Sequence, residues 1–229
     1  MSDKVFLITG ASSGIGAETA RHSVAEGWRV VLAARSADRL KGLVEELGGE
    51  ERALAVRCDV CERADQEAMV ARALDHFGRI DAVFANAGNG GSPGGFSEAD
   101  PERWREMVLT NVHGVALTIQ ATLPALRDTR GHLLLMSSAA GRATIPGSMY
   151  GATKWAVTGM GYNVREELRG SGIRVTLIEP GVVDTPFFEE TPQQHMQPED
   201  IARAVLYAVS QPERVDVNEI LVRPTPPTE

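Results

Sequence analysis

Positive charge is in short supply in this chain: 23 lysines and arginines stand against 31 aspartates and glutamates, a net charge of −8 over 229 residues. That balance argues against a general nucleic-acid surface and against an anionic membrane as partner, although it leaves room for a local basic pocket. Long apolar runs are missing too; none approaches the roughly 20 residues needed to span a bilayer. Cysteine is nearly absent. Cys58 and Cys61 are the only two and form a C-x-x-C, while the five histidines (22, 76, 113, 132, 195) are scattered. Zinc would want two further ligands at suitable spacing, so no metal is expected. A redox pair would sit at a helix N-terminus, which this position allows, but a cysteine at a strand end usually serves as a small buried hydrophobe. There is also no room for a cleavable signal: Met1-Ser2-Asp3-Lys4 passes directly into Val5-Phe6-Leu7-Ile8. The cytoplasm is the expected location.

What is present is an ordinary globular composition, 43% hydrophobic and 24% charged, arranged as alternating strands and helices. Apolar runs at 5–9, 28–34, 53–57, 80–85, 132–136, 173–178 and 218–222 read as strands. Helical patterns at 15–26, 36–47, 63–77, 101–127, 149–169 and from 198 to before Pro212 lie between them. Continuous β-branched and leucine strands separated by helices predict a mostly or wholly parallel sheet of about seven strands covered on both faces. No linker or repeat divides the chain. The expectation is one doubly wound, Rossmann-type α/β domain over 1–229, with 224–229 as a frayed tail. The most glycine-rich stretch, 86–95, reads either as a plain surface loop or as the border of a ligand site.

Between the first strand and first helix stands Thr9-Gly10-Ala11-Ser12-Ser13-Gly14-Ile15-Gly16. Its G-x-x-x-G-x-G spacing offers a tight turn, close backbone approach and helix N-terminal amides to a pyrophosphate. A plain tight connection is the alternative. No Gly-Lys-Ser/Thr follows, which disfavours a nucleoside-triphosphate loop. The end of the second strand, Ala33-Ala34-Arg35-Ser36, lacks the carboxylate that would grip the ribose hydroxyls of NAD(H). A guanidinium in that place matches a 2′-phosphate, so NADP(H) is expected over NAD(H) unless Arg35 is merely solvated.

Tyr150 and Lys154 share a helical face at i, i+4, and Ser138 lies a short loop upstream. A phenol with an ordinary pKa of about 10 is a poor acid–base group at neutral pH, and a nearby ammonium favours the phenolate. A serine hydroxyl beside the pair could hold a carbonyl or alcohol. The trio reads as acid–base machinery for a carbonyl/alcohol pair; a surface Tyr–Lys pair is the bland alternative.

Together these motifs, with Cys58-Asp59-Val60, Asn86-Ala87-Gly88, Asn111 and Pro180-Gly181-Val182-Val183-Asp184-Thr185, resemble the short-chain dehydrogenase/reductase family in its single-domain branch. The resemblance runs from Thr9 to the last strand. It implies that Gly10, Ser12, Ser13, Gly14, Ile15 and Gly16 cradle the cofactor. Asp59 and Val60 would hold the adenine, and Asn86, Ala87 and Gly88 would pack beside the cofactor. Pro180, Gly181, Val183 and Thr185 would cover the nicotinamide. Tyr150 would be the general acid–base, assisted by Ser138, and Lys154 would bind the nicotinamide ribose and lower the tyrosine pKa. Asn111 would distort its helix and hold a water in a proton relay. A homodimer or homotetramer is implied as well.

Three features depart from the family pattern: Ala85 in place of an asparagine, a Ser138-to-Tyr150 interval one residue short, and an abbreviated substrate loop at 186–196. The expected function is NADP(H)-dependent hydride transfer between nicotinamide and a small-molecule carbonyl or secondary alcohol. A non-catalytic dinucleotide sensor and an NAD-dependent alcohol dehydrogenase are the rivals. An epimerase or dehydratase would want an added C-terminal domain. For the substrate, Met149, Phe187 and Phe188 offer apolar contacts and Arg142 a partner for a carboxylate, each with ordinary packing as its alternative.

Overall fold

The structure, a computed structural model, describes residues 3–91, 93–188, 190 and 192–226. The end of the expected tail, 227–229, and positions 189 and 191 of the expected substrate loop lie outside the described residues. Seven strands form one sheet: β1 (Val5–Thr9), β2 (Arg29–Ala34), β3 (Ala53–Arg57), β4 (Ala82–Ala85), β5 (His132–Met136), β6 (Arg174–Pro180) and β7 (Glu219–Val222). Every pairing is parallel and the order is β3-β2-β1-β4-β5-β6-β7. This is the doubly wound arrangement expected from the strand composition.

Side chains alternate between two cores, as the period of 2 along a strand requires. Phe6 and Ile8 face α1 (Gly14–Ala25), α2 (Ala37–Glu46) and α8 (Pro198–Ser210), while Val5 and Leu7 face α3 (Arg63–Phe77) and α6 (Gly114–Thr129). Val157 of α7 (Met149–Glu167) joins the second core. Burial on both faces is why β1 to β5 carry polar residues only at their ends. Among the described residues, no helix is long and apolar enough to cross a membrane.

Two more helices, α4 (Gly95–Glu98) and α5 (Pro101–Val108), lie between β4 and α6. The helical stretch expected at 101–127 is divided by a π turn at Leu109–His113, which separates α5 from α6 and holds Asn111, the residue expected to distort its helix. Some edges differ from the expectation. Trp28 precedes β2 and packs its ring on Phe6 with centroids 5.5 Å apart. β6 runs on through Glu179 and Pro180, past the last apolar residue of the run. That extension matters, because it carries the chain to the carboxyl edge of the sheet where the loops gather. The strand order reverses between β1 and β4, and a crevice at such a switch point is where ligands bind in open α/β sheets.

Candidate active site

The turn after β1 is shaped by what approaches it. Gly10 has φ +67°, and a Cβ there would lie 2.9 Å from both the Ala87 Cα and Asn86 Nδ2. A Cβ on Gly16 would fall 2.5 Å from the Gly10 carbonyl oxygen. Glycine is therefore demanded by close approach of the chain leaving β4. Asn86 Nδ2 donates to the Thr9 carbonyl at 2.9 Å, and the Asn86 and Ala87 amides donate to Thr9 Oγ1 at 3.0 and 3.2 Å. These bonds stitch the ends of β1 and β4 together. Ser13, the N-cap of α1, makes no side-chain capping bond, so first-turn amides stay available to an anion.

A cavity of about 390 Å³ opens over this turn. Gly10, Ser12, Ser13 and Gly14 form its floor; Asn86, Ala87, Gly88 and Thr185 border it; Arg35, Asp59 and Val60 stand at its far end. Asp59 is itself fastened, accepting the Cys61 amide at 3.0 Å. The lining suits a dinucleotide on three counts. The glycine cradle is one a Cβ would fill, the helix amides are uncapped, and guanidinium groups outnumber the carboxylate.

A second cavity of about 510 Å³ adjoins the first, sharing Asn86, Gly88, Thr185 and Phe187 with it. Ser138, Tyr150 and Lys154 line it together with Ile15, Pro180, Gly181 and Val183. Ser138 ends the extended chain after β5 and caps a 3₁₀ turn at Ala139–Gly141, accepting the Ala140 amide at 3.1 Å and donating to the Pro180 carbonyl at 3.3 Å. Ser137 points elsewhere, bonded to the Lys154 carbonyl and Thr158 Oγ1 of α7. Ser148 caps α7 by accepting the Gly151 amide at 2.9 Å, which starts the helix one turn before Lys154. Lys154 is buried, its Nζ 2.8 Å from the Met136 carbonyl and 5.6 Å from the Tyr150 ring centroid.

Burial pushes the Tyr150 phenol up to about 12, against a hydrogen bond with Ser138 that acts the other way. It also pulls the Lys154 ammonium down to about 8. The lowering of Tyr150 by Lys154 expected from the motif is therefore not what this arrangement displays. Loss of solvation dominates both groups, and the ammonium spends a hydrogen bond on Met136.

The family model described as short chain dehydrogenase matches residues 4–196. The chain belongs to the short-chain dehydrogenase family. An uncharacterized oxidoreductase of Staphylococcus haemolyticus is 38% identical, the match covering 98% of each chain. Among solved structures, an alcohol dehydrogenase from the archaeon Thermococcus sibiricus complexed with 5-hydroxy-NADP is similar with a TM-score of 0.88 and 32% identity, covering 99% of both chains. The serine dehydrogenase of Escherichia coli has a TM-score of 0.87 and 32% identity, covering 95% of this chain and 96% of that one.

Within this short-chain dehydrogenase, two expected site residues stand behind the cavities rather than in their walls. Gly16 backs the glycine turn, and Asn111 is fully buried at the centre of the π turn. Asn111 donates through Nδ2 to the Asn89 carbonyl (2.8 Å) and Thr153 Oγ1 (3.1 Å) and accepts the Asn89 amide at 2.9 Å. It thus ties the glycine-rich stretch after β4 to α7. Sequence reasoning missed Arg39, which joins Arg35 in the first cavity from the first turn of α2, while Arg35 stands in the bend between β2 and that helix; a second arginine so close after the strand end was the available signal. It also missed Asn89, whose buried Oδ1 has no protein partner among the described residues and which borders that cavity.

Arg142 lines neither cavity. Its Nε donates to Glu179 at 2.7 Å, Nη2 pairs with Glu219 at 2.6 Å, and Nη1 bonds the Tyr162 hydroxyl. Its use as a carboxylate partner for substrate is thereby excluded in this arrangement. The Cys58 thiol is buried and pushed up to about 12, and Cys61 sits 3.7 Å from Thr110 Oγ1. A reactive thiolate needs the opposite shift. Among the described residues, no cluster of three or more histidine, cysteine, aspartate or glutamate side chains is placed to hold a metal ion.

Proposed function

We propose that this chain is an NADP(H)-dependent carbonyl reductase, equally able in principle to run as an alcohol dehydrogenase. One observation carries the reading: Ser138, Tyr150 and Lys154 converge on a cavity continuous with the glycine cradle. When bound, the nicotinamide supplies the hydride, which is cofactor chemistry and not the protein's own. Gly10, Ser12, Ser13 and Gly14 would hold its pyrophosphate, and Arg35 with Arg39 would take the 2′-phosphate. Asp59 and Val60 would border the adenine, while Pro180, Gly181, Val183 and Thr185 would cover the nicotinamide end. Lys154, already inside the second cavity, would meet the ribose hydroxyls.

The chain's own contribution is a proton and a mould for charge. With its pKa near 12, the Tyr150 phenol is protonated at neutral pH and ready to give its proton to a developing alkoxide. Ser138 Oγ, fixed by the Pro180 carbonyl and the Ala140 amide, is positioned to steady the same oxygen. The names of similar proteins span an alcohol and an amino acid, so they support hydride transfer at a C–OH without choosing the substrate. Asn111 would act by position, holding the Asn89 segment and α7 in register around the site.

Tyr150→Phe tests this reading. The variant is expected to lose NADPH-dependent carbonyl reduction by at least about 100-fold, the low end of what a positioned acid contributes, while binding NADPH with unchanged affinity. A variant that keeps most of its turnover would remove Tyr150 from the chemistry.

A further inference from the structure

The second cavity is chemically lopsided. Ser138 and Tyr150 share its lining with four large apolar side chains, Ile145, Met149, Phe187 and Phe188. Ile145 and Phe187 are exposed at 47% and 38%, which places two large apolar side chains beside open solvent at the rim. Phe187 leans edge-on against the Tyr150 ring with centroids 5.3 Å apart, and Phe188 follows it at 5.1 Å. The apolar surface therefore begins beside the Tyr150 ring and runs on through Phe187 to Phe188.

Charge is what this wall lacks. Among the described residues, Lys154 is the only charged side chain lining the cavity. Its Nζ is buried and gives one donor to the Met136 carbonyl at 2.8 Å, and the others are those assigned above to the ribose hydroxyls. Arg142, close by in sequence, is held away by Glu179, Glu219 and Tyr162. A carboxylate entering here would shed water and find no cation beyond the engaged Lys154 in exchange, whereas an alkyl or aryl group would be drawn in.

Resting on the carbonyl-reductase reading of this site, we propose that the substrate is a neutral ketone or secondary alcohol bearing an aromatic or branched alkyl group, and that hydroxy acids, keto acids and amino acids are rejected. The carbonyl oxygen meets Ser138 and Tyr150, and the apolar substituent lies along Ile145, Met149 and Phe187. In the reductive direction the carbonyl carbon would gain the hydride that NADPH supplies and its oxygen the Tyr150 proton; a proton from solvent then restores the phenol, so that ketone, NADPH and one proton give the secondary alcohol and NADP⁺.

Matched ester and acid pairs test the assignment, because they differ in charge far more than in shape. NADPH oxidation is followed with a β-keto ester against its β-keto acid, and with an acetylbenzoate methyl ester against the free acetylbenzoate. The ester is expected to exceed the acid in kcat/KM on the order of 10- to 100-fold in each pair, the range set by burying an unpaired polar charge. Acids reduced as well as their esters would overturn the proposal. Ile145→Arg places a guanidinium at the rim and is expected to narrow the ratio at least about fivefold, mainly through KM for the acid; an unchanged ratio counts against the wall as the source of selectivity. Binding to NADPH-loaded Tyr150→Phe protein, read by NADPH fluorescence, separates the two levels of the argument. Tighter binding of esters without turnover by the native enzyme would sink the reductase reading and sustain the substrate class. Equal binding of ester and acid would sink the substrate class.

Discussion

Removing Arg142 strands a carboxylate. Glu179 is 1% exposed, the next-to-last residue of β6, and Arg142 donates to it at 2.7 Å from the end of the 3₁₀ turn that Ser138 caps. Burial already raises the Glu179 carboxyl above the ordinary carboxylate value, and Arg142 is the strongest influence holding it down. Leaving a buried charge without its partner costs about 3–5 kcal/mol. At the lower figure, a protein of this length loses about 6–12 °C in Tm. Arg142→Met is therefore expected to unfold at markedly lower guanidinium at pH 8. The pH dependence has a definite sign. A carboxyl whose folded pKa is raised binds its proton in the folded state before the unfolded state does, so acidification favours folding. In the variant the carboxyl rises further, so the deficit against native protein shrinks as pH falls from 8 towards 5.5. Adding Glu179→Gln to Arg142→Met removes the stranded charge and recovers part of the loss at pH 8. Guanidinium titrations at both pH values read all of this. A deficit under about 0.5 kcal/mol at pH 8, or one equal at both pH values, would refute the account of Arg142 as the partner that makes a buried Glu179 tolerable.

Two further outcomes follow from the cofactor cradle. Arg35→Ala and Arg39→Ala should each weaken NADPH binding on the order of tenfold while leaving NADH binding unchanged, and Arg35→Asp should move the kcat/KM preference towards NADH; an unaltered NADPH-to-NADH ratio would mean that neither guanidinium reads the 2′-phosphate. Gly16→Ala puts a Cβ 2.5 Å from the Gly10 oxygen and 2.7 Å from Asn86 Nδ2, an overpacking expected to cost about 1–3 kcal/mol. Calorimetric binding should show NADPH affinity falling at least about tenfold, the effect of losing about 1.4 kcal/mol of contact; wild-type affinity and stability would show that the close approach is not a constraint.

Most of the framework was legible because parallel strands buried on two faces write themselves as apolar runs. β1, β3 and β5 begin and end where their runs do. β6 shows where that logic stops. The run ends at Ile178, yet the strand continues through Glu179, whose charge is neutralised by a residue 37 positions earlier. Such a pairing has no local signature. The short α4 and the 3₁₀ turn hold too few residues for a period to show. In the site, the residues that border the cavities were readable as motifs, since glycine spacing and Tyr-x-x-x-Lys are local. The Tyr150 pKa was not readable, because spacing reports which groups can meet and says nothing of how much water they keep.

The π turn at Leu109–His113 can be viewed as arithmetic. Its hydrogen bonds span five residues instead of four, so the segment contains one residue more than a regular helix between the same endpoints would need. Regularising it without a deletion would swing α6 by about 100° about its axis and turn Val115 and Ile119 out of the core. Deleting one residue there would leave both flanking helices in phase, with the surplus gone. The surplus is what lets Asn111 face Asn89 and Thr153 while its neighbours keep the packing stripe. A single inserted residue thus serves the site, and the fold around it keeps its register.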